Sequence, residues 1–327
     1  MKKKKIYAPA DSVNLANATG AIDYCFTNDY MFRAILQKNK RVLKALICSL
    51  LRLDLKDILS LEITNPIELG KSIDDKDFIL DIAIVMNDNT FINLEMQIEN
   101  HSNWTERSLS YLCRSFDQLY TGEDYASAGP AIHIGFLNFT PFKEHPEFYS
   151  TYKLMNIKNH HIYSDKFILG VVDLTKIDMA SEDDRAYHLD YWAKLFKATT
   201  WEEIKMIAKK NKYLEEASEA LYTMNADETI RAQCRARADY YRLHNTINRK
   251  MNELTSKVEA LSSENDELAS QNDELASQND RLTSENDRLA SEKDRLASEK
   301  DRLASQNEHL KKLLEEKGIS YIVPDEK

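Results

Sequence analysis

Two carboxylates are spaced so that a short hairpin would bring them together. Asp81 sits in Leu80-Asp81-Ile82-Ala83-Ile84-Val85-Met86 and Glu95 in Thr90-Phe91-Ile92-Asn93-Leu94-Glu95-Met96-Gln97-Ile98, on either side of Asn87-Asp88-Asn89. Alternation separates the two strands into faces, with Leu80, Ile82, Ile84, Met86, Ile92, Leu94, Met96 and Ile98 on one side and Asp81, Asn93, Glu95 and Gln97 on the other. A turn centred on Asp88 puts Asp81 opposite Glu95, with the Cβ atoms about 4.5–5.5 Å apart, a distance at which like charges destabilise a strand pair unless a cation lies between them. Magnesium suits such a pair, because it binds carboxylate oxygens while keeping several waters. One of those waters, made more acidic by the ion, would be a nucleophile for a phosphodiester.

The elements that must hold these residues follow from periodicity. A helix over residues 102–120 places Arg107, Tyr111, Arg114 and Gln118 on one face, with Leu109, Leu112, Phe116 and Leu119 on the other side. Arg107 could stabilise charge building on a phosphate, and Tyr111 could hold a water or a phosphate oxygen. A helix over 29–52, capped by Thr27-Asn28-Asp29, precedes strands near 59–65, 78–86 and 91–98; further strands are expected at 131–139 and 167–174. This order predicts an α/β fold, a mixed sheet flanked by helices. Caps at Ser181-x-x-Asp184, Thr200-x-x-Glu203 and Asn225-x-x-Glu228 then open a run of helices.

Asn28-Asp29-Tyr30-Met31-Phe32-Arg33, Leu80-Asp81-Ile82, Leu94-Glu95-Met96-Gln97, Arg107-x-x-x-Tyr111 and Gly122-Glu-Asp-Tyr125, in this order, resemble the recombination-promoting nuclease/putative transposase family of the PD-(D/E)XK superfamily, over about residues 20–245. The resemblance implies a restriction-endonuclease-like core and magnesium-dependent DNA endonuclease activity, with Mn2+ able to substitute. Carried over, Asp81 is the acidic residue of the second core strand, Glu95-Met96-Gln97 is the E-x-K-type element of the third, and Asp29 is a further acidic metal-site residue. Gln97 stands where the wider superfamily has Lys. Gln can orient a water but brings no charge, and either Lys76 or Arg107 would have to supply it.

The C-terminal part is a near-exact seven-residue repeat. Leu254, Leu261, Leu268, Leu275, Leu282, Leu289, Leu296, Leu303 and Leu310 lie seven apart, and with Leu at d the a positions are Val258, Asn265, Asn272, Asn279, Asn286, Lys293, Lys300, Asn307 and Leu314. Asn at a favours a parallel two-stranded coiled coil, so a homodimer is expected; a single solvated helix is the other reading of so polar a seam. The segment from Met251 would span roughly 95 Å at 1.5 Å per residue. No Gly or Pro falls between Ala226 and Lys317, so one helix could run from the domain through the repeats. The expected organisation is a flexible N-terminus (1–20), a nuclease-like domain (21–250), a heptad-repeat coiled coil (251–316) and a tail (317–327).

The net charge of -10 would disfavour an anionic partner, but it belongs to the tail. From Met251 onward there are 11 Lys+Arg against 19 Asp+Glu, leaving 33 against 35 in residues 1–250. DNA therefore stays admissible as a partner. Cys25, Cys48, Cys113 and Cys234 form no C-x-x-C pair, there is no hydrophobic signal core after Met1, and no run of 18 apolar residues exists, so a soluble, cytoplasmic chain without a membrane partner is expected. His160-His161 reads as a surface pair. Arg231, Arg235, Arg237, Arg242, Arg249 and Lys250 make the root of the long helix basic, as a solvated face or a phosphate contact. Three functions stay open: a metal-dependent DNA endonuclease acting in recombination or transposition, a catalytically weak homologue that binds DNA or protein and is oligomerised by its coiled coil, and an assembly protein whose working part is the rod.

Overall fold

The computed structural model describes residues 14–65, 82–87, 89–100, 103–117, 119 and 122–320. Asn28 starts the first helix, α1 (Asp29–Lys38), by accepting a hydrogen bond from the Met31 amide at 3.1 Å. The sequence predicts that this helix continues to residue 52; instead a second helix, α2 (Lys40–Leu51), begins after Asn39. Asn39 leaves helical geometry at φ -118° and ψ 87°, and its side chain accepts from the amides of Arg41 and Val42, so an Asn cap breaks the helix where neither Gly nor Pro marks it.

Six strands follow: β1 (Leu61–Ile63), β2 (Ile82–Met86), β3 (Thr90–Gln97), β4 (Ala131–Leu137), β5 (Tyr149–Lys153) and β6 (Phe167–Asp173). They form one sheet in the order β1-β2-β3-β4-β6-β5. The β1–β2, β2–β3 and β5–β6 pairs are antiparallel, and β3–β4 and β4–β6 are parallel. A parallel β3–β4 pair needs a crossover connection, and α3 (Trp104–Phe116) supplies it. β5 was not anticipated: Tyr-Ser-Thr-Tyr-Lys is a short, half-polar edge strand with little alternation to read.

One sheet face carries the main core. Ile82, Ile84, Ile92, Leu94, Met96, Ile134 and Phe136 pack there against Phe32, Ile35 and Leu36 of α1, and against Trp192 and Phe196 of α5 (Leu189–Lys197). Phe32, Phe136 and Phe196 meet edge to face in pairs, with centroids 5.2–5.6 Å apart. Between β6 and α5 lies the short α4 (Glu182–Ala186); α6 (Trp201–Ala208) and α7 (Lys212–Ala226) complete this layer. The Ser181/Asp184 and Thr200/Glu203 capping boxes form as their sequence predicts. The third cap does not. Asn225 is buried inside α7 and bonded to the backbone of Tyr24, and Asp227 caps the next helix by accepting from Thr229 and Ile230.

That helix, α8, is continuous over Glu228–Glu316. The chain divides into two compact units, residues 1–244 and 245–327. Within the second unit the heptad leucines from Leu254 to Leu310 are 49–63 % exposed. Among the described residues, no helix is long and apolar enough to cross a membrane.

Candidate active site

The second face of the sheet is polar yet buried, and α3 covers it. Its rows follow the parallel register: Asn93 beside His133, Glu95 beside Gly135 and Val171, and Gln97 beside Leu137 and Asp173. Asn93, Glu95 and Gln97 are only 4–7 % exposed. The β2–β3 register runs from Met86 opposite Thr90 to Ile82 opposite Leu94, as a turn centred on Asp88 requires. Asp81, Asp88, Lys76 and Gln118 lie outside the described residues.

Gly135 explains how α3 comes so close. A Cβ there would lie 2.0 Å from Cη2 of Trp104, so the indole occupies the space a side chain would need beside Glu95. Trp104, Leu137 and Val171 make a small second core on this face. The anchoring Trp sets the rotation of α3, which differs from the division of faces predicted from sequence. Leu109 is 43 % exposed, whereas Arg107 and Tyr111 turn toward the sheet with Trp104, Ser108 and Leu112. Arg114, expected to share their face, is exposed.

Arg107 Nη2 lies 2.8 Å from Glu95 Oε1. The guanidinium is also 5.5 Å from the Tyr111 ring centre. Tyr111 stacks on His133 at 5.7 Å, and Trp104 lies 5.6 Å from the same imidazole. His133 Nε2 is 3.8 Å from the second Glu95 oxygen, Oε2. Burial, reinforced by the Arg107 charge, pulls the His133 pKa down to about 3, so the ring is neutral. Arg107 is therefore the cation that balances Glu95 among the described residues. Gln97 Nε2 donates to the Glu99 carbonyl at 2.9 Å, which leaves its amide oxygen as the other polar end.

Glu95, Gln97, Arg107 and Tyr111 are thus brought to one face. The contacts of Asp29 lead elsewhere. Its Oδ2 accepts from Arg237 Nε and from Tyr241 Oη, both at 2.6 Å, and Oδ1 accepts from the Tyr30 amide. The basic root of α8 is partly neutralised in the same way, with Arg231 facing Asp23, Arg237 facing Asp29 and Arg242 facing Asp239. His160 and His161 are exposed in a turn. His133 was not singled out from sequence, because in Ala131-Ile-His-Ile-Gly-Phe-Leu it reads as one polar residue inside an apolar strand; only the β3 register reveals its neighbour.

A hard divalent cation fits the donor chemistry in one respect. Glu95 offers a buried carboxylate and Gln97 an amide oxygen, both donors of the kind hard cations take. Among the described residues no group of three His, Cys, Asp or Glu could hold a metal by itself, and Glu95 would be one ligand of any such site.

A mixed sheet with helices on both faces and an E-x-Q element on its third strand fits a restriction-endonuclease-like fold. Residues 26–251 match the family model described as PD-(D/E)XK nuclease family transposase, and the chain belongs to that family. A second model, described as FAZ1, C-terminal, matches residues 276–312, all within the heptad repeats. No curated protein and no solved structure matches the chain.

Proposed function

We propose that this protein is a DNA endonuclease that hydrolyses phosphodiester bonds with Mg2+, or Mn2+ in its place, held by Asp81 and Glu95. The observation that carries the reading is the Arg107–Glu95 pair on a buried polar sheet face inside a nuclease-family domain. When bound, the ion lowers the pKa of a water and offsets charge on the phosphate. Arg107 is the phosphate-facing cation: its side chain is 39 % exposed, and a guanidinium has five N–H donors, more than one carboxylate uses. Tyr111 and His133 hold that guanidinium against the sheet, and Trp104 over Gly135 keeps water from the floor beneath Glu95. The Gln97 amide oxygen orients a water or a cation hydrate. Asp29, engaged by Arg237 and Tyr241, serves the domain's integrity in this reading rather than the cation.

The heptad segment joins two chains as a parallel coiled coil, and the protein works in the cytoplasm on DNA in recombination or transposition. Supercoiled plasmid incubated with the purified protein and Mg2+ or Mn2+ tests the reading: nicked circles are expected, and intact plasmid under both ions would refute it. One observation favours a second reading, a DNA- or protein-binding module with weak catalysis. Gln97 brings no charge, and its nitrogen is bonded to the Glu99 carbonyl. Salt-dependent DNA binding that survives Glu95→Ala, without cleavage by the wild type, would select it.

A further inference from the structure

A buried imidazole needs a reason. His133 has no solvent exposure, and neither ring nitrogen has a hydrogen-bond partner among the described residues. A buried polar group left without a partner is costly, and an apolar residue of similar volume at this position would avoid that cost. Packing alone therefore does not account for His133.

Its surroundings restrict what it can do. The ring is held between Tyr111 and Trp104, so it cannot swing to solvent. Among the described residues, the titratable or charged groups facing it are Glu95 of β3 and Arg107 and Tyr111 of α3. Asn93, its register partner, also has a buried side-chain oxygen without a hydrogen bond among the described residues. A neutral imidazole carries one N–H, and Nε2 lies 3.8 Å from Glu95 Oε2, beyond hydrogen-bond reach as the two side chains stand, so the bond requires a shift of roughly 0.5 Å or more. Arg107 approaches the same carboxylate at Oε1, but from a half-exposed side chain.

We propose that His133 is a positioning residue that donates its Nε2–H to Glu95 Oε2 and fixes the carboxylate plane for a divalent cation, while Arg107 is the exchangeable partner that competes with that cation at Oε1. The proposal rests on the nuclease reading above and assigns the two neighbours of Glu95 opposite effects. Removing His133 loosens the carboxylate and weakens cation binding. Removing Arg107 takes away a competing positive charge and strengthens it, although cleavage suffers in both cases.

The full-length protein is labelled with 15N-histidine, and Mn2+ affinity is measured by electron paramagnetic resonance for wild type, His133→Leu, His133→Gln and Arg107→Gln. Thermal melts identify folded variants. Expected are a protonated Nε2 on His133 whose resonance shifts in Glu95→Gln, at least tenfold weaker Mn2+ binding in His133→Leu, partial recovery in His133→Gln, which keeps an N–H donor, and tighter binding in Arg107→Gln. On plasmid, His133→Leu lowers kcat with KM for DNA little changed. A ring protonated at Nδ1, no response to Glu95→Gln, or equal Mn2+ affinity in wild type and His133→Leu overturns the proposal. Should the Leu variant fail to fold, the His133→Gln titration and the wild-type resonance decide it alone. Wild-type protein that neither binds Mn2+ nor nicks plasmid overturns the nuclease reading itself, a result distinct from an active wild type lacking the His133–Glu95 bond.

Discussion

Arg107 Nη2 stands 2.8 Å from Glu95 Oε1, joining the third strand to the helix that crosses over it. Glu95 is buried, while Arg107 is half-exposed, so the pair is held by the strand and completed by the helix. A guanidinium in this place is not interchangeable with an ammonium, because its planar fork can serve a carboxylate and a phosphate at once. Arg107→Lys is expected to lower kcat on plasmid by about tenfold or more, in line with the loss of one charge-stabilising donor. A Lys variant with wild-type kcat would remove Arg107 from the chemistry.

Gly135 is predicted to be intolerant of the smallest side chain. Alanine would put its Cβ 2.0 Å from the Trp104 ring, in a place where both backbone and indole are packed. Gly135→Ala should cost about 1–3 kcal/mol of stability in urea unfolding, as overpacked cores do. Adding Trp104→Leu should make the double mutant clearly less unstable than the two single losses summed. Strict additivity would mean that the close approach does not limit the site.

Asp29 and Arg237 form a buried pair at 2.6 Å with Tyr241 bonded to the same carboxylate oxygen. Truncating one partner of such a pair leaves the other charge buried, a loss of about 3–5 kcal/mol. Asp29→Ala should therefore show a strongly lowered urea midpoint, with Mn2+ affinity of the folded protein unchanged. An unaltered midpoint combined with lost Mn2+ binding would move Asp29 into the cation site.

His133 gives the fold an acid sensitivity of known sign. Its pKa falls from 6.5 to about 3 on folding, so the unfolded chain takes up the proton more readily. Above about pH 6.5 the ring is neutral in both states and contributes no pH dependence; as pH falls toward 3 the native state loses up to roughly 1.4 kcal/mol per pH unit relative to the unfolded one. Urea unfolding without metal or DNA should show wild-type stability falling more steeply than His133→Leu between pH 6 and 4. Parallel curves would contradict the assignment of a neutral, buried ring.

In the second unit, the leucines at d are half-exposed in a single chain, and the proposed dimer would bury them against the same seam of a partner. Sedimentation of the full-length protein at about micromolar concentration should give a dimer. The triple variant Leu275→Asp, Leu282→Asp, Leu289→Asp should give a monomer with the first unit still folded. A monomeric wild type at tens of micromolar would remove the coiled coil from the account.

The legible parts of this fold are those where periodicity and burial agree. The β2–β3 hairpin could be aligned residue by residue, because a one-residue slip would turn Ile82, Ile84, Ile92 and Leu94 out of the core. The uninterrupted α8 followed from the absence of Gly and Pro. The break at Asn39 was hidden because an Asn cap inside an amphipathic run leaves the apolar spacing intact. In the candidate site, Glu95 and Arg107 were readable as types in order. The rotation of α3 was not, since it is decided by Trp104 settling over Gly135, a contact between elements that no local pattern records. His133 was invisible for the same reason: its meaning lies in the residue beside it on the next strand.

The central claim is tested most directly by the initial rate of supercoiled-plasmid nicking for wild type and Glu95→Ala, side by side, in Mg2+ and after chelation. The account predicts nicking by wild type that chelation stops, and a rate at least about a hundredfold lower in Glu95→Ala, the scale of losing one electrostatic element of a reaction centre. Equal rates for the two proteins, or no cleavage by wild type, would contradict it.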